Sequence, residues 1–202
     1  MRYPFTNSLL LGFFFLLTAH SAFAQSPLER VREKVDAIIT IVIEAKKNQT
    51  LEDTATREKL WSQVDTIFDF NTLSQKSLSR NWLAMNDEEK AEFVELFRKL
   101  LGRAYLKKIE SYDNEFIQYH REVFFTPENA EVLTTIESKG QLYDLNYRLL
   151  KKEGEWRIYD VSIEGVSLVS NYRAQFNGFL RGGTIQELLS SLKSKVTDTQ
   201  GS

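Results

Sequence analysis

The hydrophobic period of the chain changes twice, and this restricts the possible folds more than any other feature of the sequence. Over residues 115–164 apolar and polar residues alternate, whereas the residues on either side repeat with the period of a helix. The connections within the alternating stretch are short and contain turn residues, and parallel strands would need crossovers of a dozen or more residues. The sequence therefore predicts a four-stranded antiparallel meander, with strands over 115–125, 130–138, 141–151 and 155–164.

The residues before the meander predict helices. Apolar positions spaced by three and four predict a first helix over 27–47. A second helix is predicted to begin at Thr50, with Asp53 in its first turn. The strongest helix is predicted to follow Asn86, because Glu89 lies three residues further on, in the position of a capping box.

Helical spacing returns after the meander. Apolar residues predict a helix over 169–180, which Gly182-Gly183 would end. Thr184 and Glu187 form a second capping box and predict a last helix. Helices that are segregated from an antiparallel sheet define the α+β class, and we expect them to cover one face of the sheet.

The N-terminal residues have the pattern of a secretory signal peptide. Arg2 provides a positive start, residues 9–17 form an uncharged apolar run, and residues 22–24 read Ala-Phe-Ala, with small residues at both positions that determine cleavage. The apolar run is too short to span a bilayer, which needs roughly 20 residues. We therefore expect cleavage after residue 24, export to the periplasm, one folded domain over 25–197 and a frayed tail over 198–202.

Composition excludes several classes of function. The formal net charge is −2, and loss of Arg2 would make it −3, so the chain lacks the basic surface that binds nucleic acid or anionic membranes. Without cysteine, the chain has neither disulfides nor thiolate metal ligands, and a lipid-modified N-terminus is excluded. No residues have metal-ligand spacing and no glycine-rich phosphate loop occurs, so the sequence predicts no metal and no cofactor.

One histidine follows the predicted signal peptide. His120 lies in the first predicted strand, where strict alternation puts it on the same face as Gln118 and Glu122. A serine–histidine–aspartate arrangement would need a nucleophile motif, and none accompanies His120. We interpret His120 as a surface or structural residue.

Asp160 is the other candidate for catalysis. It lies among apolar residues in the last predicted strand, and a buried carboxylate can act as a general base in small cone-shaped α+β enzymes. Strict alternation would put Asp160 on the side of Trp156 and Ile158. We favour a structural role, in which Asp160 accepts a hydrogen bond from nearby backbone or pairs with Arg157 or Arg173.

Apolar side chains occur in positions that suit either a core or a cavity. One strand face is predicted to carry every second residue from Tyr143 to Leu149, and Tyr159, Val161 and Ile163 can share another. Periodicity favours an ordinary core, but it does not distinguish a filled interior from a ligand-sized void. Both interpretations stay open at this level.

Residues 156–176, WRIYDVSIEGVSLVSNYRAQF, resemble the signature of the MlaC family, also called the toluene-tolerance auxiliary family. The shared pattern is tryptophan, a basic and an aliphatic residue, Tyr-Asp, then Glu-Gly-Val-Ser, and finally Tyr-Arg with a phenylalanine three positions on. Residues 68–70, Phe-Asp-Phe, and the aromatic residues that follow are similar to the first half of that family. One departure is Leu78-Ser79, where the family has Leu-Gly, and we expect it to alter a helix joint.

The resemblance implies a periplasmic carrier that binds phospholipid acyl chains in an apolar cavity between sheet and helices, and that helps to maintain outer-membrane lipid asymmetry. The partners it implies are an inner-membrane ABC transporter with an MCE-domain subunit and an outer-membrane lipoprotein–porin complex. It implies a transport protein rather than an enzyme, without a cofactor, and we expect a monomer. A hopanoid or another lipid is the alternative cargo, and an enzyme that uses Asp160 is the alternative function. The expected cavity lining is Phe97, Leu101, Tyr105, Tyr143, Leu145, Tyr147, Val161, Ile163, Val169, Tyr172 and Phe176.

Overall fold

The computed structural model describes residues 25–112 and 115–197. The predicted signal peptide and the tail over 198–202 lie outside the described residues. Within the described ranges, helices precede and follow one antiparallel sheet, which confirms the α+β class. No helix in these ranges is both long and apolar enough to cross a membrane.

The first two helices form an antiparallel-type pair at the start of the fold. α1 spans Pro27–Asn48, close to its predicted bounds, and α2 spans Thr54–Ile67. The predicted start of α2 at Thr50 is wrong, because the Asp53 N–H donates to the Thr50 carbonyl in a turn and Asp53 is the N-cap.

A short helix and a long helix follow. α3 spans Phe70–Leu78, a 3₁₀ helix spans Ser79–Ala84, and α4 spans Asp87–Glu110. The predicted capping box of α4 is confirmed, since the Glu89 N–H donates to Asn86 Oδ1 at 2.8 Å and the Asn86 N–H donates to Glu89 Oε2 at 2.9 Å.

Ser79 stands at the joint between α3 and the 3₁₀ helix in an unfavourable backbone conformation. Its φ is 53° and its ψ is −121°, a region that glycine adopts readily but that the Cβ of other residues disfavours. This is the position where the family pattern has glycine. The departure seen in the sequence therefore coincides with a strained helix joint.

The sheet has five strands, so the prediction of four is wrong. All neighbouring strands are antiparallel and follow one another in chain order. The strands are β1 Phe116–Thr126, β2 Asn129–Ser138, β3 Gln141–Lys152, β4 Glu155–Ile163 and β5 Val166–Ser167.

The fifth strand follows a turn of the same kind as the two turns before it. Lys139-Gly140, Glu153-Gly154 and Glu164-Gly165 all have positive φ at both residues, which is the conformation of two-residue type I′ hairpins. Gly165 therefore makes a hairpin and not a direct strand-to-helix turn. Sequence periodicity missed β5 because two residues are too few to define a period, although the repeated Glu-Gly pair was a usable signal.

The last two helices complete the chain. α5 spans Leu168–Leu180 and α6 spans Ile185–Thr197. The predicted capping box of α6 is confirmed, since the Glu187 N–H donates to Thr184 Oγ1 at 3.2 Å and the Thr184 N–H donates to Glu187 Oε2 at 2.7 Å.

Two main hydrophobic cores divide the fold. The sheet core buries residues of β2, β3 and β4 against Val31 of α1 and Ile67 of α2. The helical core buries residues of α3, the 3₁₀ helix, α4, α5 and α6 against one another. The expectation that the helices cover one sheet face therefore holds only for α1 and the end of α2, because the helices from α3 onwards are apolar enough to bury each other. Phe68 packs against both cores, and it forms a bridge with Ile158 at the β4 edge.

Candidate functional site

A β-bulge in β4 decides which residues of this strand share a face. Leu149 pairs with Ile158 and Arg148 pairs with Asp160, so Tyr159 is an extra residue. An extra residue shifts everything beyond it to the opposite face. The predicted grouping of Tyr159 with Val161, and of Asp160 with Ile158, is therefore wrong.

The bulge aligns the apolar residues of β3 and β4. Val161 pairs with Tyr147, and Ile163 pairs with Leu145, so both β4 residues lie on the face of β3 that carries Tyr143, Leu145 and Tyr147. The predicted sharing of one face by alternate residues of β3 is confirmed by its pairing with β2. We call this surface the apolar face of the sheet.

Burial differs between the two ends of the apolar face. Near α1, Val132, Leu149 and Ile158 are fully buried in the sheet core. At the other end Tyr143, Leu145 and Val161 are only partly buried, and Ile163 is 42% exposed. We call these four residues the open end. Apolar side chains that stay accessible next to a core are available to a ligand.

The helical residues of the predicted lining form a packed aromatic cluster. Phe97 contacts Tyr172 and Phe176 with ring centroids 4.8 Å and 5.2 Å apart, in edge-to-face geometry. Phe93 joins Phe176 at 5.3 Å. This part of the interior is filled by side chains.

Two tyrosines lie at the margin of this cluster. Tyr105 of α4 and Tyr172 of α5 are half-buried. Burial raises the pKa of Tyr105, and burial followed by the nearby Tyr105 raises the pKa of Tyr172. Both hydroxyls are therefore neutral, and both rings combine an apolar body with a polar tip.

The eleven predicted lining residues fall into two groups that belong to different cores. Residues of α4 and α5 belong to or pack against the helical core, whereas Tyr147, Leu145 and Val161 belong to or pack against the sheet core. Five of the eleven are fully packed: Phe97, Leu101, Tyr147, Val169 and Phe176. The six with accessible surface are Tyr105, Tyr143, Leu145, Val161, Ile163 and Tyr172.

Asp160 has a structural role. Its Oδ1 accepts the Val169 N–H at 3.0 Å and its Oδ2 accepts the Ser167 hydroxyl at 2.6 Å. Ser167 in turn caps α5 by accepting the Ser170 N–H at 3.0 Å. The predicted hydrogen bond to nearby backbone is confirmed. Because both carboxylate oxygens are engaged in the start of α5, the geometry does not favour a general base.

The predicted arginine partners of Asp160 bind elsewhere. Arg157 donates to Glu155 Oε2 at 3.0 Å and to the Asp65 carbonyl at 3.2 Å, and Arg173 donates to the Lys76 carbonyl at 2.9 Å. The prediction of an ion pair at Asp160 is wrong for both arginines.

A second bulge removes the predicted neighbours of His120. Tyr119 pairs with Thr134 and Arg121 pairs with Leu133, so His120 is the extra residue and its ring nitrogen lies 2.9 Å from Thr135 Oγ1. The bulge places Gln118 and Glu122 on opposite faces. Glu122 accepts the Leu28 N–H of α1 at 2.8 Å. Among the described residues, no group of histidines and carboxylates could hold a metal ion.

Sequence analysis missed the polar joint between the two cores. Asp69 caps α3 by accepting the Thr72 N–H at 2.9 Å and the Thr72 hydroxyl at 2.6 Å, and it pairs with Lys152 of β3. Its own N–H donates to the Ile158 carbonyl at 2.8 Å. Burial by itself would raise the pKa of Asp69, but hydrogen bonds from Lys152 and Thr72 lower it below its ordinary value.

The Asp69 joint should make stability fall in acid. Because the folded-state pKa is lowered, its stabilisation is complete above the unfolded value of about 4 and is lost as the pH falls through the lowered folded value. We expect Asp69→Asn to reduce the free energy of unfolding by about 1 kcal/mol at pH 7, a small figure because Lys152 is half exposed. Urea unfolding between pH 7 and pH 3 should show the difference shrinking below about pH 4. A difference that stays constant over this range would contradict the assignment.

The comparisons with known proteins agree with this architecture. Residues 32–194 match the family model described as MlaC protein. The chain belongs to the MlaC family. A curated relative, the intermembrane phospholipid transport system binding protein MlaC of Haemophilus influenzae, is 22% identical over 193 residues, which cover 91% of this chain and 88% of the relative.

A solved structure shares the MlaC-family fold of this chain. The phospholipid-binding protein of Ralstonia solanacearum, solved in complex with a phospholipid, superposes with a TM-score of 0.76. The two chains are 21% identical, and the match covers 87% of this chain and 97% of the other. At this identity the likeness establishes the fold.

Proposed function

We propose that this MlaC-family chain is a periplasmic carrier that holds phospholipid acyl chains and moves the lipid between the inner and outer membranes. Family membership supports a phospholipid-binding transport protein, because the relative from Haemophilus influenzae is named as the binding protein of such a system and the Ralstonia solanacearum protein holds a phospholipid. The observation that carries the proposal is the open end, where apolar residues of two paired strands stay accessible beside a packed core.

The energetics of acyl chains require a deep site. Burial of one methylene is worth about 0.8 kcal/mol, so two chains with roughly 30 methylenes gain about 24 kcal/mol from the bilayer interior. A surface groove that covered half of them would leave a deficit of about 12 kcal/mol. A carrier must therefore enclose the tails almost completely, while the polar head group can remain in water.

The accessible residues of the predicted lining suit such a site. Tyr143, Leu145, Val161 and Ile163 offer a continuous apolar surface on the sheet side, and Tyr105 and Tyr172 offer half-buried rings on the helix side. We propose that the acyl chains lie between these two surfaces, and that the fully packed residues support the site from behind. Enclosing two tails then requires the two cores to separate locally when lipid enters.

The proposed transport route has two ends. By the resemblance to its family, the chain would exchange lipid with an inner-membrane ABC transporter that has an MCE-domain subunit and with an outer-membrane lipoprotein–porin complex. Such exchange would help to keep phospholipid out of the outer leaflet.

Lipid analysis tests the proposal. We expect organic extraction of the protein, purified without detergent, to release phospholipid that mass spectrometry detects. Leu145→Glu and Ile163→Glu should each lower the bound lipid at least tenfold, because a carboxylate in an acyl-chain site must be desolvated. Leu83→Glu is the matched control, since Leu83 is 81% exposed outside the site and should leave the lipid content unchanged.

Folding must be separated from binding in this test. Far-UV circular dichroism and the urea midpoint report whether each variant is folded. Ile163 is partly exposed and tolerates a charge, whereas Val169 lies in the helical core, where a charge would disturb folding. Wild-type protein without lipid, or folded variants with full lipid content, would refute the proposal, and a hopanoid in the extract would replace phospholipid as the cargo.

A further inference from the structure

One end of the sheet exposes three large apolar side chains. Phe116, Leu142 and Val166 are 63%, 62% and 65% exposed. They are the first residue of β1, the second of β3 and the first of β5. In an antiparallel meander the odd-numbered strands all begin at the same end, so these side chains occupy one edge of the molecule. We call them the apolar tip.

The apolar tip is continuous with the open end of the apolar face. Val166 pairs with Ile163, which pairs with Leu145 on its other side. Leu142 immediately precedes Tyr143. A molecule that covers the tip would therefore also contact the rim of the proposed acyl-chain site.

The charges around the tip are mostly negative. Glu137 pairs with both Phe116 and Leu142 and lies between them. Over residues 137–144 and 164–166 there are three carboxylates, the others being Asp144 and Glu164, against the single cation Lys139. Glu137, Asp144 and Glu164 are exposed. Such a rim is repelled by anionic lipid surfaces and attracts basic protein surfaces.

We infer that the apolar tip docks on a protein whose surface has an apolar centre flanked by lysine or arginine side chains, and that lipid passes through the open end in this complex. Exposed apolar groups supply the contact, because contiguous apolar surface on a soluble protein marks an interaction site. The carboxylates supply the orientation and select against direct contact with a bilayer. This inference rests on the proposed carrier function.

Photo-crosslinking in the native host tests the docking surface. The full chain carries a photoreactive phenylalanine analogue in place of Phe116 or Leu142. The control position is Phe125, which lies in the same strand at the opposite end and is 54% exposed. We expect a protein adduct from both tip positions with a yield at least tenfold above that of Phe125, and a cross-linked partner peptide that contains or adjoins lysine or arginine.

Charge reversal makes the test specific. Glu137→Lys combined with Glu164→Lys should lower the adduct at least tenfold, and replacing the basic partner residue with glutamate should restore it. An adduct with lipid alone, an equal yield at Phe125, or a yield that charge reversal does not change would overturn the inference.

The lipid content of the same proteins separates this inference from the proposed function. Normal bound lipid without any protein adduct would overturn the docking surface and leave the carrier function standing. Absence of lipid from the wild-type protein would overturn the carrier function itself.

Discussion

Replacing Asp160 with alanine should lower the free energy of unfolding by about 3 kcal/mol. The carboxylate is 4% exposed and accepts both the Val169 N–H and the Ser167 hydroxyl. A hydrogen bond to a charged group contributes about 1.5–3 kcal/mol, and a buried donor left without a partner costs about 1–3 kcal/mol. The two effects overlap, because they describe the same bonds from opposite sides. Urea unfolding of the mature protein, followed by circular dichroism, measures the change.

Asp160→Asn is the matched control for this prediction. Asparagine keeps an oxygen that can accept the Val169 N–H, so we expect roughly half of the loss. A loss of about 3 kcal/mol in a domain of this size should lower the melting temperature by about 6–12 °C. If Asp160 were instead a general base held in an unfavourable site, its removal would leave stability unchanged or raise it, and that outcome would contradict the structural role.

Replacing Ser79 with glycine should raise the free energy of unfolding by about 2 kcal/mol. A residue with a Cβ in a sparsely populated backbone region costs about 1–3 kcal/mol, and glycine removes this strain at a small cost in unfolded-state entropy. Ser79 is exposed, so its hydroxyl contributes little packing. The melting temperature should rise by about 4–8 °C, which differential scanning calorimetry can measure.

Ser79→Ala distinguishes strain from loss of the hydroxyl. Alanine retains the Cβ and therefore the unfavourable conformation, so we expect no gain in stability. Equal stabilisation by alanine and glycine, or destabilisation by glycine, would show that the joint between α3 and the 3₁₀ helix is not strained by Ser79.

The predicted lining illustrates how far sequence analysis reaches into the site. Its residues were correctly placed in strands and helices, because alternation and helical spacing identify elements over many positions. The grouping of β4 residues failed at the bulge, since one extra residue at Tyr159 reverses the face of every residue beyond it. The failure at β1 has the same cause, at His120.

Local chemistry in the sequence determined where the helices and strands begin and end. The capping boxes at Asn86 and Thr184 and the hairpin turn at Lys139-Gly140 join groups only a few residues apart, so their physics is contained in short segments. Only the tertiary structure decided that the eleven candidate residues divide between two cores, that the open end stays accessible, and that the carboxylate of Asp160 is occupied by α5. Those outcomes depend on contacts between residues far apart in the chain, where packing and strand register, rather than local pattern, determine which apolar side chains are enclosed.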